Sequence, residues 1–205
     1  MAWIEDKIAK WVRLINEHAG PSAGERVLEG HQNLDGMTPE ERAAWSRKAM
    51  LRLEEVIPDL ATRKTIMADR GCVFVEEFGE EPLLKLRDIY RKTGDLEAVF
   101  DAMAGDRVKY TRPYIDGDAI VEVKPPRDGT AFAAAKTPAE QRMAYCFCPL
   151  AQAGVATTPM PEPHCCCGGG WYKGIWEFIL EKPVQMEVVR SVMRGDDECA
   201  FAIYI

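Results

Sequence analysis

Two Cys-x-Cys pairs dominate the chemistry this sequence can offer: Cys146/Cys148 and Cys165/Cys167, with Cys166 inside the second. Five cysteines thus fall within 22 positions. Thiolates are strong nucleophiles and strong metal ligands. A set of four suits a structural zinc ion, or alternatively an iron–sulfur cluster. The spacing is tighter than the usual Cys-x2-4-Cys of zinc sites. A lone cysteine is more often a small buried hydrophobe, and that is the reading for Cys72. Cys199, which opens the final alternating stretch, is either a core residue or a fifth ligand. The expected metal set is therefore Cys146, Cys148, Cys165, Cys167 and Cys199. His164, directly before Cys165, is either a further ligand or a solvated loop side chain.

Gly168-Gly169-Gly170 follows the second pair and lets backbone approach closely. A helix is expected after it, and a helix N-terminus favours the thiolate form, most of all at Cys167. Trp171 and Tyr172 can wall a pocket beside these glycines, with Glu177 as acid, base or ligand. The plainer alternative places Trp171 in the core and Glu177 in water. If the chain is an enzyme, Cys167 or Cys165 is the candidate nucleophile, and Glu177 or His164 the acid–base partner. With three histidines, no Ser-His-Asp pattern stands out. No P-loop or dinucleotide fingerprint occurs.

The elements that must position these residues fall into two parts. Residues 1–104 read as mainly helical. Ile4, Ile8, Trp11 and Ile15 recur at helical spacing. Thr38-Pro39-Glu40-Glu41 is a capping box with proline at the first helical position, and that helix should end at Pro58. Further helices are expected over about 60–69, from Pro82, and from Asp95. Residues 20–37 read as a loop. Residues 105–205 read as a cysteine-rich α+β part. Residues 119–124 form an expected strand. Residues 142–148 form a second, in which Cys146 and Cys148 would share one face. Residues 171–181 form a helix. Alternation over 184–193 and 199–205, around Gly195-Asp196-Asp197, predicts a terminal β-hairpin. The fold class is α+β: N-terminal helices, then a small antiparallel sheet, in one domain.

Composition sets bounds. The 205 residues carry a net charge of -7, with 47% hydrophobic and 29% charged residues. These are ordinary globular values. A nucleic-acid footprint needs a basic stripe, and none is visible. No apolar run reaches the roughly 20 residues of a membrane span. Residues 1–15 carry too many charges for a signal peptide. Seven cysteines without such a signal imply reduced thiols and a cytoplasmic location.

Three runs carry a family resemblance: 145–149, 165–177 and 195–203. Cys167 with its glycines and Trp171, then a helix and a hairpin bearing Gly195-Asp196-x-x-Cys199-x-Phe201, resemble the end of the 4-vinyl-reductase domain. The same runs are similar to a group of uncharacterised proteins of anaerobic bacteria and archaea, and more distantly to the L-2-amino-thiazoline-4-carboxylic acid hydrolase family. The resemblance covers about residues 140–205. It implies an α+β small-molecule-binding domain, with a cysteine-rich zinc site under an aromatic pocket in some members, and a homodimer. Cys167 and Cys199 match cysteines of those zinc-bearing sensors. Ser191 stands where the sensors have another cysteine, and Val188 where they have a glutamate ligand. Cys146, Cys148 or Cys165 must then supply what those positions lack.

Overall fold

The computed structural model describes residues 2–205, with side chains from Ile4 onward. Its first half is helical: α1 (Ala2–Ala19), α2 (Ala23–Val27), α3 (Pro39–Val56), α4 (Leu60–Asp69), α5 (Phe74–Phe78), α6 (Glu81–Thr93) and α7 (Leu96–Ala104). Local signals account for most of their boundaries. At α3 the Thr38 hydroxyl accepts from Glu41 N while the Glu41 carboxylate accepts from Thr38 N. Asp59 caps α4 and Asp95 caps α7 in the same manner, each accepting from a first-turn backbone N–H. On α1 the helical-period residues Ile4, Ile8, Trp11 and Ile15 are all buried. Part of the expected 20–37 loop is α2 and a 3-10 turn over His31–Gly36.

The second half holds β1 (Tyr114–Asp116), β2 (Ala119–Val123), α8 (Gly129–Ala134), α9 (Pro138–Tyr145), α10 (Cys166–Leu180), β3 (Gln185–Arg190) and β4 (Ala200–Tyr204). The strands form one antiparallel sheet in the order β1-β2-β4-β3. The fold is α+β, with helices first and the sheet towards the C-terminal end. The expected hairpin is present as β3–β4, but its arms are shorter than the alternation suggests. β3 is bulged between Val188 and Arg190. A 3-10 turn at Val192–Arg194 follows, and Gly195 takes a φ of +97°, a conformation natural to glycine.

Two expectations are corrected: α10 begins at Cys166 rather than at 171, taking in the three glycines, and the second expected strand is absent. Residues 142–148 are not a strand. Thr137-Pro138-Ala139-Glu140 repeats the capping signature of α3 and starts α9, with both reciprocal hydrogen bonds made. Cys146 is the residue on which that helix ends. Cys146 and Cys148 therefore do not sit on one face of a strand.

Helix α10 lies between two cores. Its later turns, with Ile175, Trp176 and Ile179, pack on the sheet face that carries Ile120, Phe201 and Ile203. Its first residue, Cys166, packs into the core of α1–α4, among Trp11, Ile15, Trp45, Leu53, Ile66 and Met67. The glycine run lies within this helix, where each glycine costs about 1 kcal/mol in propensity against alanine. Packing bears on all three, Gly169 lying where a Cβ would run into the Met186 side chain. A Cβ on Gly170 would fall 2.8 Å from the Ala68 carbonyl carbon. One on Gly168 would press on the Phe201 ring at 3.1 Å. Backbone-to-backbone approach of α4 and α10 is possible only without that carbon.

Candidate functional site

The chain brings together cysteines from three separate segments. Cys146 lies at the end of α9 and is buried. Cys148 follows it, Cys165 precedes α10, and Cys199 precedes β4. All four belong to one apolar cluster with Tyr145, Met160, Val192 and Met193. Burial pushes the Cys146 thiol up to about 12 and the Cys148 thiol up to about 11, and each is raised further by a neighbouring cysteine. Burial likewise raises Cys165 and Cys199. For Cys165 the neighbours that add to this are Cys199, Cys146 and Cys148, so the thiols of this cluster act on one another. A thiol held this way is protonated at neutral pH until an electrophilic partner such as a metal ion displaces the proton.

Two close contacts organise the cluster. Cys148 Sγ lies 3.6 Å from His164 Nε2. Cys165 Sγ lies 3.0 Å from the hydroxyl of Ser191, which is completely buried and also accepts from Met193 N. His164 is buried rather than solvated. Desolvation lowers its pKa to about 3, with nearby Arg70 adding to the effect, so the imidazole is neutral. Its Nδ1 has no hydrogen-bond partner among the described residues. Arg70 is also buried, with Nε and one terminal nitrogen unpartnered. Its guanidinium lies 4.1 Å from the centre of the Trp11 ring.

Thiols and a neutral imidazole are the right chemistry for zinc. Zn–S of about 2.3 Å and Zn–N of about 2.0–2.1 Å at a tetrahedral angle place sulfur and nitrogen about 3.6 Å apart. The Cys148–His164 separation matches one edge of such a tetrahedron. Among the described residues, however, no three His, Cys, Asp or Glu side chains stand together closely enough to hold a metal ion. The remaining members of the expected set, Cys146, Cys165, Cys167 and Cys199, do not complete that edge to a ligand set. Cys167 lies in the first turn of α10 and packs, with Cys148, against the N-terminal core.

A cavity of about 160 Å³ opens on the other flank of the α10 glycines. Gly71, Gly170 and Gly174 line it, together with Trp171, Phe74 and the half-buried thiol of Cys72. Lys173 sits among the polar lining, 3.1 Å from Glu177 and 3.9 Å from Asp69. Glu177 also accepts from Val184 N at 3.3 Å, which ties α10 to the start of β3. Trp171 faces this cavity, against Phe74 at 5.3 Å and Phe78 at 6.2 Å between ring centres. Tyr172 does not. It lines a different cavity, because consecutive helical residues point about 100° apart.

Sequence reasoning passed over His164 as a firm site residue, and missed Arg70 and Glu122 altogether. Glu122 had a legible signal: it is the one charged residue in the apolar run 119–123, at the same parity as buried Ile120. Nothing in the local sequence marks Arg70 as buried. Among the described residues no helix is long and apolar enough to cross a membrane. Comparison with family models, with curated proteins and with solved structures finds no match to this chain.

Proposed function

We propose that this chain is a small-molecule-binding module whose thiol cluster holds a zinc ion. The observation that carries the reading is the convergence of Cys146, Cys148, Cys165 and Cys199 in one buried cluster, with neutral His164 at a tetrahedral edge from Cys148. Cys148 and His164 would form that fixed edge, and the remaining ligands would come from Cys165, Cys146, Cys167 and Cys199. Zinc would supply a crosslink between the α9 end, the α10 start and the β4 approach. Ser191, at the position where the resembling sensors carry a cysteine, touches Cys165 Sγ, which supports the same placement. The small molecule would enter the cavity at Trp171 and Phe74. A volume of about 160 Å³ is well below the roughly 300–1,000 Å³ of drug-sized sites, so the ligand is small, and its aromatic walls favour a planar one. Seven unpaired thiols suit a reducing, cytoplasmic setting.

The test is elemental analysis of protein purified without added metal, with thiol titration before and after a chelator. The reading expects about one zinc per chain, with Cys148 and its neighbours protected until the metal is removed. Metal-free protein with seven freely titrating thiols refutes it. Rapid alkylation of one cysteine at pH 6–7 would favour a thiol enzyme instead.

A further inference from the structure

Glu122 is completely buried on β2, under α10. One carboxylate oxygen accepts from Trp176 Nε1 at 2.9 Å. The other accepts from the Thr111 hydroxyl at 3.3 Å. A carboxylate offers about four lone-pair positions, so these two donors leave it half satisfied, and no ion pair reaches it among the described residues. Beside it is a cavity of about 60 Å³, lined by Glu122, Tyr110, Thr111, Tyr172 and the 107–109 turn. The Tyr110 hydroxyl is buried and also unpartnered. Two residues with unsatisfied buried groups thus line one half-open cavity, with room for a few waters.

We infer that this cavity is a second ligand site, for a small primary ammonium compound held by Glu122 and Tyr110. A buried carboxylate without a counter-charge is costly, and an ammonium group supplies both the charge and three donors. Those donors would be shared between the free lone pairs of Glu122 and the Tyr110 oxygen on the cavity lining. The tyrosine rings add cation–π attraction. The cavity volume of about 60 Å³ suits a short carbon chain on the nitrogen. The other groups facing this region are compatible. Tyr172, from α10, is held protonated by burial and by Glu122 itself. Lys109 is neutralised by Asp106 at 2.5 Å. Arg107 is exposed, and the β4 residue paired with Glu122 is Phe201. Burial raises the Glu122 pKa to about 7, against the two hydrogen bonds that lower it. The site therefore gains its charge across the neutral range. This inference stands apart from the thiol cluster and does not depend on it.

The experiment is a titration of the full chain with methylammonium chloride, followed by the indole N–H resonance of Trp176, which bonds directly to Glu122. Sodium chloride at equal ionic strength is the control. A saturable shift is expected with methylammonium alone. Binding should be about tenfold tighter at pH 8 than at pH 6, because only the ionised fraction binds. Glu122→Gln should abolish the shift and Tyr110→Phe should weaken it. Three results overturn the inference: a linear shift shared with sodium, as for a cavity holding water only; saturation that persists in Glu122→Gln; or affinity independent of pH. If Glu122→Gln does not fold, the pH ratio and Tyr110→Phe decide between the same outcomes.

Discussion

The α4–α10 seam makes a sharp prediction because two glycines of one helix, four residues apart, meet opposite surroundings. Alanine at Gly170 would place its Cβ 2.8 Å from the Ala68 carbonyl carbon and 3.1 Å from Ala68 Cα, whereas ordinary contact begins at 3.4 Å. These are backbone atoms and cannot rotate aside, so the helices must part by more than half an ångström. The parting would also loosen Gly71, whose own Cβ would meet Cys167 O at 2.6 Å. Overpacking of this kind costs about 1–3 kcal/mol, and here the rigid neighbour places it at the upper end. The gain in helix propensity offsets at most about 1 kcal/mol. At Gly174 nothing lies within 4 Å, so alanine there keeps the whole gain. Gly170→Ala should therefore lose about 2 kcal/mol and Gly174→Ala should gain about 0.8 kcal/mol. In a chain of this size each kcal/mol moves the melting temperature by about 2–4 °C. Urea denaturation of ligand-free protein, followed by far-ultraviolet circular dichroism, measures the pair. Gly170→Ala within 0.5 kcal/mol of wild type, or Gly174→Ala less stable than wild type, would refute the backbone-contact argument.

Other perturbations test other parts. The Glu122 pKa rises from 4.5 to about 7 on folding, so its contribution to stability is full below pH 4.5 and is lost as pH climbs through 7. The loss is about 3 kcal/mol, and Glu122→Gln should flatten the difference in urea stability between pH 5 and pH 8 by that amount. Ser191→Cys places a thiol beside Cys165 and should tighten zinc binding by at least about tenfold, the scale that even outer-shell partners command; competition with a chromophoric chelator reads this directly, and unchanged affinity would place the metal elsewhere. Trp171→Ala removes one wall of the larger cavity and should abolish binding of small planar aromatic probes there while leaving zinc content unchanged.

Much of the scaffold was legible because its signals are local. Thr38/Glu41 marked the start of α3, Asp95 marked α7, and the terminal alternation marked β3 and β4. The misreading of residues 142–148 came from weighing an apolar stretch over the capping box Thr137–Glu140 just before it. The start of α10 is hidden in the sequence because three consecutive glycines argue against a helix on propensity, and only the approach of Ala68, Met186 and Phe201 explains them. The cysteine cluster was legible in composition but not in geometry. Which thiols meet depends on α9, α10 and β4 arriving at one place, and burial of Ser191 and His164 decides what they touch. Arg70 was invisible, since a charged residue just after a helix normally faces water, and here it lies on Trp11 instead.

Strand β4 is flanked by β2 on one side and β3 on the other, although it follows both along the chain. Until residues 200–204 are available, β2 has only the three-residue β1 beside it and β3 has no strand paired with it among the described residues. A polypeptide cut before Ala200 would keep its helical half and yet expose Ile120 and the inner face of α10, where Phe201 and Ile203 otherwise pack. Quality control by proteases should consequently be far harsher on small C-terminal deletions than on comparable trimming of the first helix.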